Sequence, residues 1–198
     1  GVNPINLNAN VATAGGAISF ADPVVVGVNS TLSSAGGITF SSTVDALGAG
    51  AQSLDVTGGA VTIAGPVGAT TALSALTVSG TNVSVGSIGG AGAGVTGATS
   101  VTATVAMTLS GTTYRANAQS YTSPAGYTIT LGAGAPVSFI STDDAISFVT
   151  AGVRLANGSD ISVTSGGGAI SVAGGIDGTS SEDVSLVSVG GTTNTVSV

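Results

Sequence analysis

The sequence predicts an all-β protein, a right-handed parallel β-helix (β-solenoid) of about nine coils with about 22 residues in each. Three observations predict it. A short apolar–polar–apolar pattern recurs at a nearly fixed interval. Between its copies lie further stretches in which Val, Ile, Leu or Phe alternates with Ser or Thr. Glycine supplies 33 of the 198 residues, and only 6% of the chain is charged.

The recurring pattern reads AISF at Ala17, GITF at Gly37, AVTI at Ala60, NVSV at Asn82, AMTL at Ala106, TITL at Thr128, AISF at Ala145, AISV at Ala169 and TVSV at Thr195. The interval between copies is shortest from Leu131 to Phe148 and longest from Val172 to Val198. A period of this length is the mark of a stacked repeat, because one such unit cannot bury its apolar face alone. The second set of alternating segments includes STLSSA at Ser30, QSLDVT at Gln52, SALTVS at Ser74, TSVTATV at Thr99, VSFIST at Val137, SDISVTS at Ser159 and EDVSLVS at Glu182. Strict alternation is the signature of a strand buried on one side. Each period thus holds at least two strands, and its length suits a three-sided coil. Helix is disfavoured, since β-branched residues and Gly dominate and strong helix formers are scarce.

Stacking in parallel sets like on like: Phe20 near Phe40, and Ile18 near Ile38 and Val61. Gly-rich segments supply the corners, where tight bends are needed. Pro23 and Pro66 each follow shortly after a marker, Phe20 and Ile63, and read as corner residues outside the hydrogen-bond ladder. The whole chain, 1–198, reads as a single solenoid segment of something longer.

Composition narrows the function classes. There is no Cys, His, Trp or Lys, and the two cations are Arg115 and Arg154. Thiolate chemistry and the usual general bases are missing, so no enzyme is expected. A net charge of −7 disfavours nucleic acid, which is bound through cations that displace counterions. No apolar run approaches the length of a membrane helix, and seven aromatics are too few for the girdles of an outer-membrane barrel.

Segments such as GGAISF, GGITFSSTVDALGAGAQSLDVT and GGAVTIAGPVGATTALSALTVSG resemble the repeats of filamentous-haemagglutinin-like proteins and giant β-strand-repeat bacterial surface adhesins. The resemblance is clearest from Gly15 to Gly80 and from Ala145 to Gly191, and weaker from Gly86 to Tyr127. It implies an extracellular, cell-surface β-helical shaft with a role in adhesion, biofilm or surface structure.

Few residues suggest a site. Asp143, Asp144, Arg154 and Asp160 are the chemistry open to a β-helix that acts on polysaccharide, although TDD also reads as a polar turn. A carbohydrate groove would draw on Tyr114, Tyr121 and Tyr127 with Arg115. Asp160 and Asp183 lie one period apart, and with Glu182 they form a candidate Ca²⁺ site, because stacked carboxylates repel and a hard cation relieves that. Solvated carboxylates at the start of a strand are the plainer reading. The glycines of GGAGAGVTG at Gly89 lack the Asp of a calcium-binding nonapeptide. TSVTATVAMTLSGTT from Thr99 alternates Thr, yet other coils mix Ser, Thr, Gly and Asp, so no regular threonine array of the ice-binding kind is expected.

The chain begins and ends in solenoid pattern. Joining Val198 to Gly1 keeps the marker spacing, because the stretch from Val198 round to Phe20 is as long as that from Phe20 to Phe40. This predicts continuation into a further repeat or head-to-tail stacking. The expected function is a structural rod, the shaft of a surface adhesin or filament. The alternatives are a carbohydrate-binding or carbohydrate-active β-helix, or a surface-layer or matrix component. Expected partners are other copies, head to tail or side by side, with host-cell or matrix glycans as the second choice. Neither nucleic acid nor membrane insertion is expected.

Overall fold

The computed structural model describes residues 3–90, 94–149, 152–179, 181–189 and 196–197. It is an all-β parallel solenoid of about eight turns of about 23 residues. Every strand pairing is parallel and joins a segment to its equivalent one turn away. Three strand columns result, one on each side of the coil.

On the first face the inner column runs Ile5, Val24, Val44, Val67, Ile88, Tyr114, Phe139, Val163 and Leu186. On the second it runs Val11, Leu32, Val56, Val78, Val101, Tyr121, Phe148 and Val172. On the third it runs Ile18, Ile38, Val61, Val83, Met107, Ile129, Val153 and Ile176. Alternation explains the core directly. In Ile38–Phe40 the two apolar residues are buried and Thr39 is not, and Val24–Val26 and Ile170–Val172 repeat that pattern. Phe20 stacks on Phe40 with ring centroids 4.9 Å apart. Ile18, Ile38 and Val61 form one inner column, as the period predicts.

Pro23 and Pro66 stand outside the strands. Each still offers its carbonyl to the coil below, Pro23 to Ile5 N at 2.7 Å and Pro66 to Val44 N at 3.0 Å. A corner proline therefore accepts a ladder bond without needing the N–H it lacks.

The structure corrects the reading of the markers as one series. The first six, through Thr128–Leu131, lie on the third face. Ile146–Val149 and Ile170–Val172 lie on the second face, against Gln119–Thr122 and against each other. The third face continues instead through Gly152–Leu155 and Ile176–Asp177. The short step from Leu131 to Phe148 is thus an incomplete turn, which is why counting markers gives nine coils. Val196–Ser197 belongs to the second face, while Thr195 and Val198 lie outside the described residues.

The reason is chemical. What recurs is a corner followed by a strand. Thr13 Oγ1 and Ser34 Oγ both bond the Gly16 carbonyl, at 2.5 and 2.7 Å, at the corner between the second and third faces. In the later coils Ser165 Oγ bonds Gly168 O at 2.6 Å and Ser188 Oγ bonds the same oxygen at 3.0 Å, now between the first and second faces. A hydroxyl that caps a Gly-rich bend works at any corner of the coil.

Candidate functional site

Tyr114 and Tyr121 occupy inner columns and are fully buried, so they do not line a groove with Asp143 or Asp144. They are anchors of an aromatic core. Tyr114 stacks on Phe139 at 4.7 Å on the first face, and Tyr121 stacks on Phe148 at 5.4 Å on the second. Edge-to-face contacts tie the two stacks together, Phe139 to Phe148 at 5.0 Å and Tyr114 to Tyr121 at 6.1 Å. Of the three tyrosines only Tyr127 is exposed.

Both buried hydroxyls are satisfied. The Tyr114 hydroxyl accepts from Gly111 N at 2.8 Å and donates to Val85 O at 3.1 Å. The Tyr121 hydroxyl donates to buried Gln119 Oε1 at 2.9 Å, and Gln119 Nε2 donates to Ile140 O at 2.8 Å and Tyr114 O at 3.2 Å. Burial holds both phenols protonated well above their ordinary pKa of 10.0, with the Gly111 hydrogen bond partly offsetting this at Tyr114 and the Tyr114 hydroxyl adding to it at Tyr121. A pKa raised on folding means that the stabilisation is complete below pH 10 and is lost as pH rises further. Denaturant titrations across the alkaline range should show stability falling steeply above that pH. The Tyr121→Phe variant should flatten the fall, while losing about 1–3 kcal/mol at neutral pH because Gln119 Oε1 is left without its donor. An equally steep fall in the variant would contradict this account.

Several carboxylates act as hydrogen-bond acceptors within the fold. Asp144 Oδ2 accepts from Asn117 Nδ2 at 2.8 Å at the corner of the first and second faces, so TDD is a hydrogen-bonded turn. Arg154 stands on the outer side of the third face, in register with Asp177. The fold therefore places Arg154 and the Asp143–Asp144 turn on different sides of the coil. Asp45 Oδ1 accepts two amides of the next coil, Thr70 N and Thr71 N, both at 2.9 Å.

At the candidate calcium residues, stacking does set Asp160 beside Asp183 on neighbouring coils. Asp160 Oδ1 accepts Asp183 N at 2.9 Å. Glu182 Oε2 accepts Thr179 N at 2.8 Å, and Glu182 Oε1 accepts Gly158 N at 3.3 Å. Among the described residues no group of three or more acidic, His or Cys side chains is placed to hold a metal ion. The Asp160 bond repeats elsewhere: Asn10 Oδ1 accepts Thr31 N at 2.8 Å, and Asn29 Oδ1 accepts Ser53 N at 3.0 Å. In all three an Asn or Asp just before a strand caps the amide of its partner one coil on. Asp160→Asn should therefore keep its stability, and Asp160→Ala should lose about 0.5–1.5 kcal/mol, as read from chemical denaturation. A large loss in the Asn variant would show that the negative charge, not the acceptor, matters there.

The outer surface carries what alternation alone does not reveal. On the third face Ser19, Thr39, Thr62, Ser84, Thr108 and Thr130 stand in register as an unbroken hydroxyl row, ended by Arg154 and Asp177. The second face carries two rows, Thr31, Asp55, Thr77, Ser100, Ser120, Ser147 and Ser171 beside Ser33, Thr57, Ser79, Thr102 and Thr122. The rows mix Ser with Thr, as the sequence indicates. Register aligns them; only the alternate spacing of hydroxyl residues signals them in the sequence.

An open cavity of about 470 Å³ is lined by Thr130, Arg154, Ala156, Asn157 and Thr179. At the C-terminal end of the column, inward-pointing Val184 is 49% exposed, whereas its partner Ile161 is 2% exposed. Compared with protein-family models, curated proteins and solved structures, the chain matches none, and what the structure establishes is the β-solenoid fold.

Proposed function

We propose that this chain is a structural element, the shaft of an extracellular bacterial adhesin or filament of the filamentous-haemagglutinin-like kind, and not an enzyme. The observation that carries the reading is the continuous inner column, from Ile5 to Leu186, built entirely by parallel coil-on-coil pairing. Such a column resists bending and shear because each turn is bonded to the turns before and after it. Its inward apolar side chains are committed to packing, and Asn10, Asn29, Asp45 and Asp160 cap backbone amides of the neighbouring coil. The outer sides of the second and third faces are largely uncharged hydroxyl, so few like charges oppose each other where such faces pack side by side, even in a chain of net charge −7.

Other copies are the partners this reading calls for. Among the described residues the strand Val184–Ser188 is paired on one side, with Ile161–Ser165, and its other edge is where a further coil, of the same chain or of another copy, would add in parallel. The carbohydrate-groove alternative loses its main support once Tyr114 and Tyr121 are interior. The test is electron microscopy with sedimentation of the purified chain over a range of concentrations. Thin columns that lengthen with concentration and shorten in Val184→Asp support end-to-end assembly; single-length particles throughout would overturn it. Surface labelling of intact source cells with an antibody to the chain tests the location.

A further inference from the structure

We propose that Asn157 is a self-modifying position, converted to aspartate or isoaspartate through a succinimide formed with Gly158. The sequence contains one Asn–Gly pair, and it is this one. The pair forms the tip of a turn closed by Ser159 N donating to Ala156 O at 2.9 Å, and both residues are exposed. Gly158 has φ of 79°, a conformation in which a side chain is disfavoured, and it has no Cβ to hinder approach to its nitrogen. Its N–H points to the Glu182 carboxylate on the next coil, 3.3 Å away.

The chemistry balances without a cofactor. The Gly158 nitrogen attacks Asn157 Cγ as its proton passes to Glu182, the base within hydrogen-bond reach. The new N–Cγ bond closes a five-membered imide. The Cγ–Nδ2 bond breaks, the proton is returned to the departing nitrogen, and ammonia leaves. Water then adds across either imide C–N bond and opens the ring. Opening on one side restores the main chain with aspartate at position 157; opening on the other routes the main chain through the side chain as isoaspartate. Rotation of the 157–158 peptide brings nitrogen and carbon together, and an exposed turn with Gly in its second central position permits it. The product adds one carboxylate to the nine acidic side chains, in the same cavity as Arg154.

Other asparagines lack this neighbour. Asn10, Asn29 and Asn117 are followed by Val11, Ser30 and Ala118, whose Cβ atoms crowd the attacking nitrogen. The test is peptide mapping by mass spectrometry after incubating the whole chain in water enriched in heavy oxygen, at several pH values. Heavy oxygen should enter at position 157 at least about tenfold faster than at Asn29 or Asn117, a barrier difference of about 1.4 kcal/mol. Equal rates would overturn the proposal. Glu182→Gln keeps a hydrogen-bond acceptor but removes the base, so it should slow labelling several-fold and steepen its dependence on pH. Unchanged rate and profile in that variant, with its β-sheet circular dichroism intact, would remove Glu182 from the reaction. Should the variant fail to fold, Glu182→Asp draws the base back by one methylene and should label more slowly than the parent chain; an unchanged rate would remove Glu182 from the reaction.

Discussion

Replacing Phe139 with alanine should lower the free energy of unfolding by about 3–5 kcal/mol, the range seen when a buried aromatic is truncated. Phe139 is fully buried and is the centre of the aromatic core. It stacks on Tyr114 at 4.7 Å and meets Phe148 and Tyr121 edge-on at 5.0 and 5.4 Å. Its removal opens a cavity that the coils cannot collapse to fill, since their spacing is fixed by the hydrogen-bond ladders on either side. It also removes one partner from each of three rings at once. Native domains are stable by only about 5–15 kcal/mol, so the loss is a large share of the total. In a stacked column each coil is held mainly by its neighbours, so weakening one junction weakens the cooperativity of the two halves. Denaturant unfolding should show the lower midpoint, and hydrogen exchange should show protection lost first in strands Thr113–Thr122 and Val137–Ser141. A change under about 1 kcal/mol would mean that the rings do not pack as described.

The second large effect is expected at Gly68. This residue has φ of 63°, and a Cβ built on it would overlap the Gly94 carbonyl oxygen of the next coil. Its N–H donates to Val44 O at 2.7 Å and its carbonyl accepts Gly94 N at 3.1 Å, so three coils meet at this corner. Alanine here suffers the left-handed backbone, about 1–2 kcal/mol. It must also push two coils apart against their ladder, a further cost of about 1–3 kcal/mol. Gly175 separates the two contributions. It has a similar φ of 81°, but nothing lies within 4 Å of its would-be Cβ. Gly175→Ala should therefore lose only the backbone part. Thermal and denaturant unfolding of the two variants side by side gives the comparison. Equal losses would show that the close approach of coils at Gly68 contributes nothing.

Much of the molecule was legible because its core rule is local. Alternation in ITF or AVTI states which side chains point inward, and the interval from Phe20 to Phe40 states that the next copy lies one turn on. The candidate sites were less legible, because solvent exposure is not written in a residue's type. Tyr114 and Tyr121 read as a sugar platform, and the register makes them core. Asp160 and Asp183 read as a cation site or as solvated carboxylates, whereas Asp160 caps the Asp183 amide. The Asn10 and Asn29 caps perform the same task with a neutral side chain, and only the register brings the three cases together.

The sequence by itself determined the parallel solenoid, most of the inward residues and the Gly-rich corners, because strand alternation and tight glycine bends are properties of short segments. Tertiary structure decided which side of the coil each segment occupies. The unit beginning at Ser141 and running into AISF is built like the one beginning at Thr13, yet it turns a different corner. A bend capped by Ser or Thr fits any of the three corners equally well. Its place is set by the length of chain wound before it and by the rings of Tyr114, Tyr121, Phe139 and Phe148 meeting across the interior, and both are sums over the whole coil.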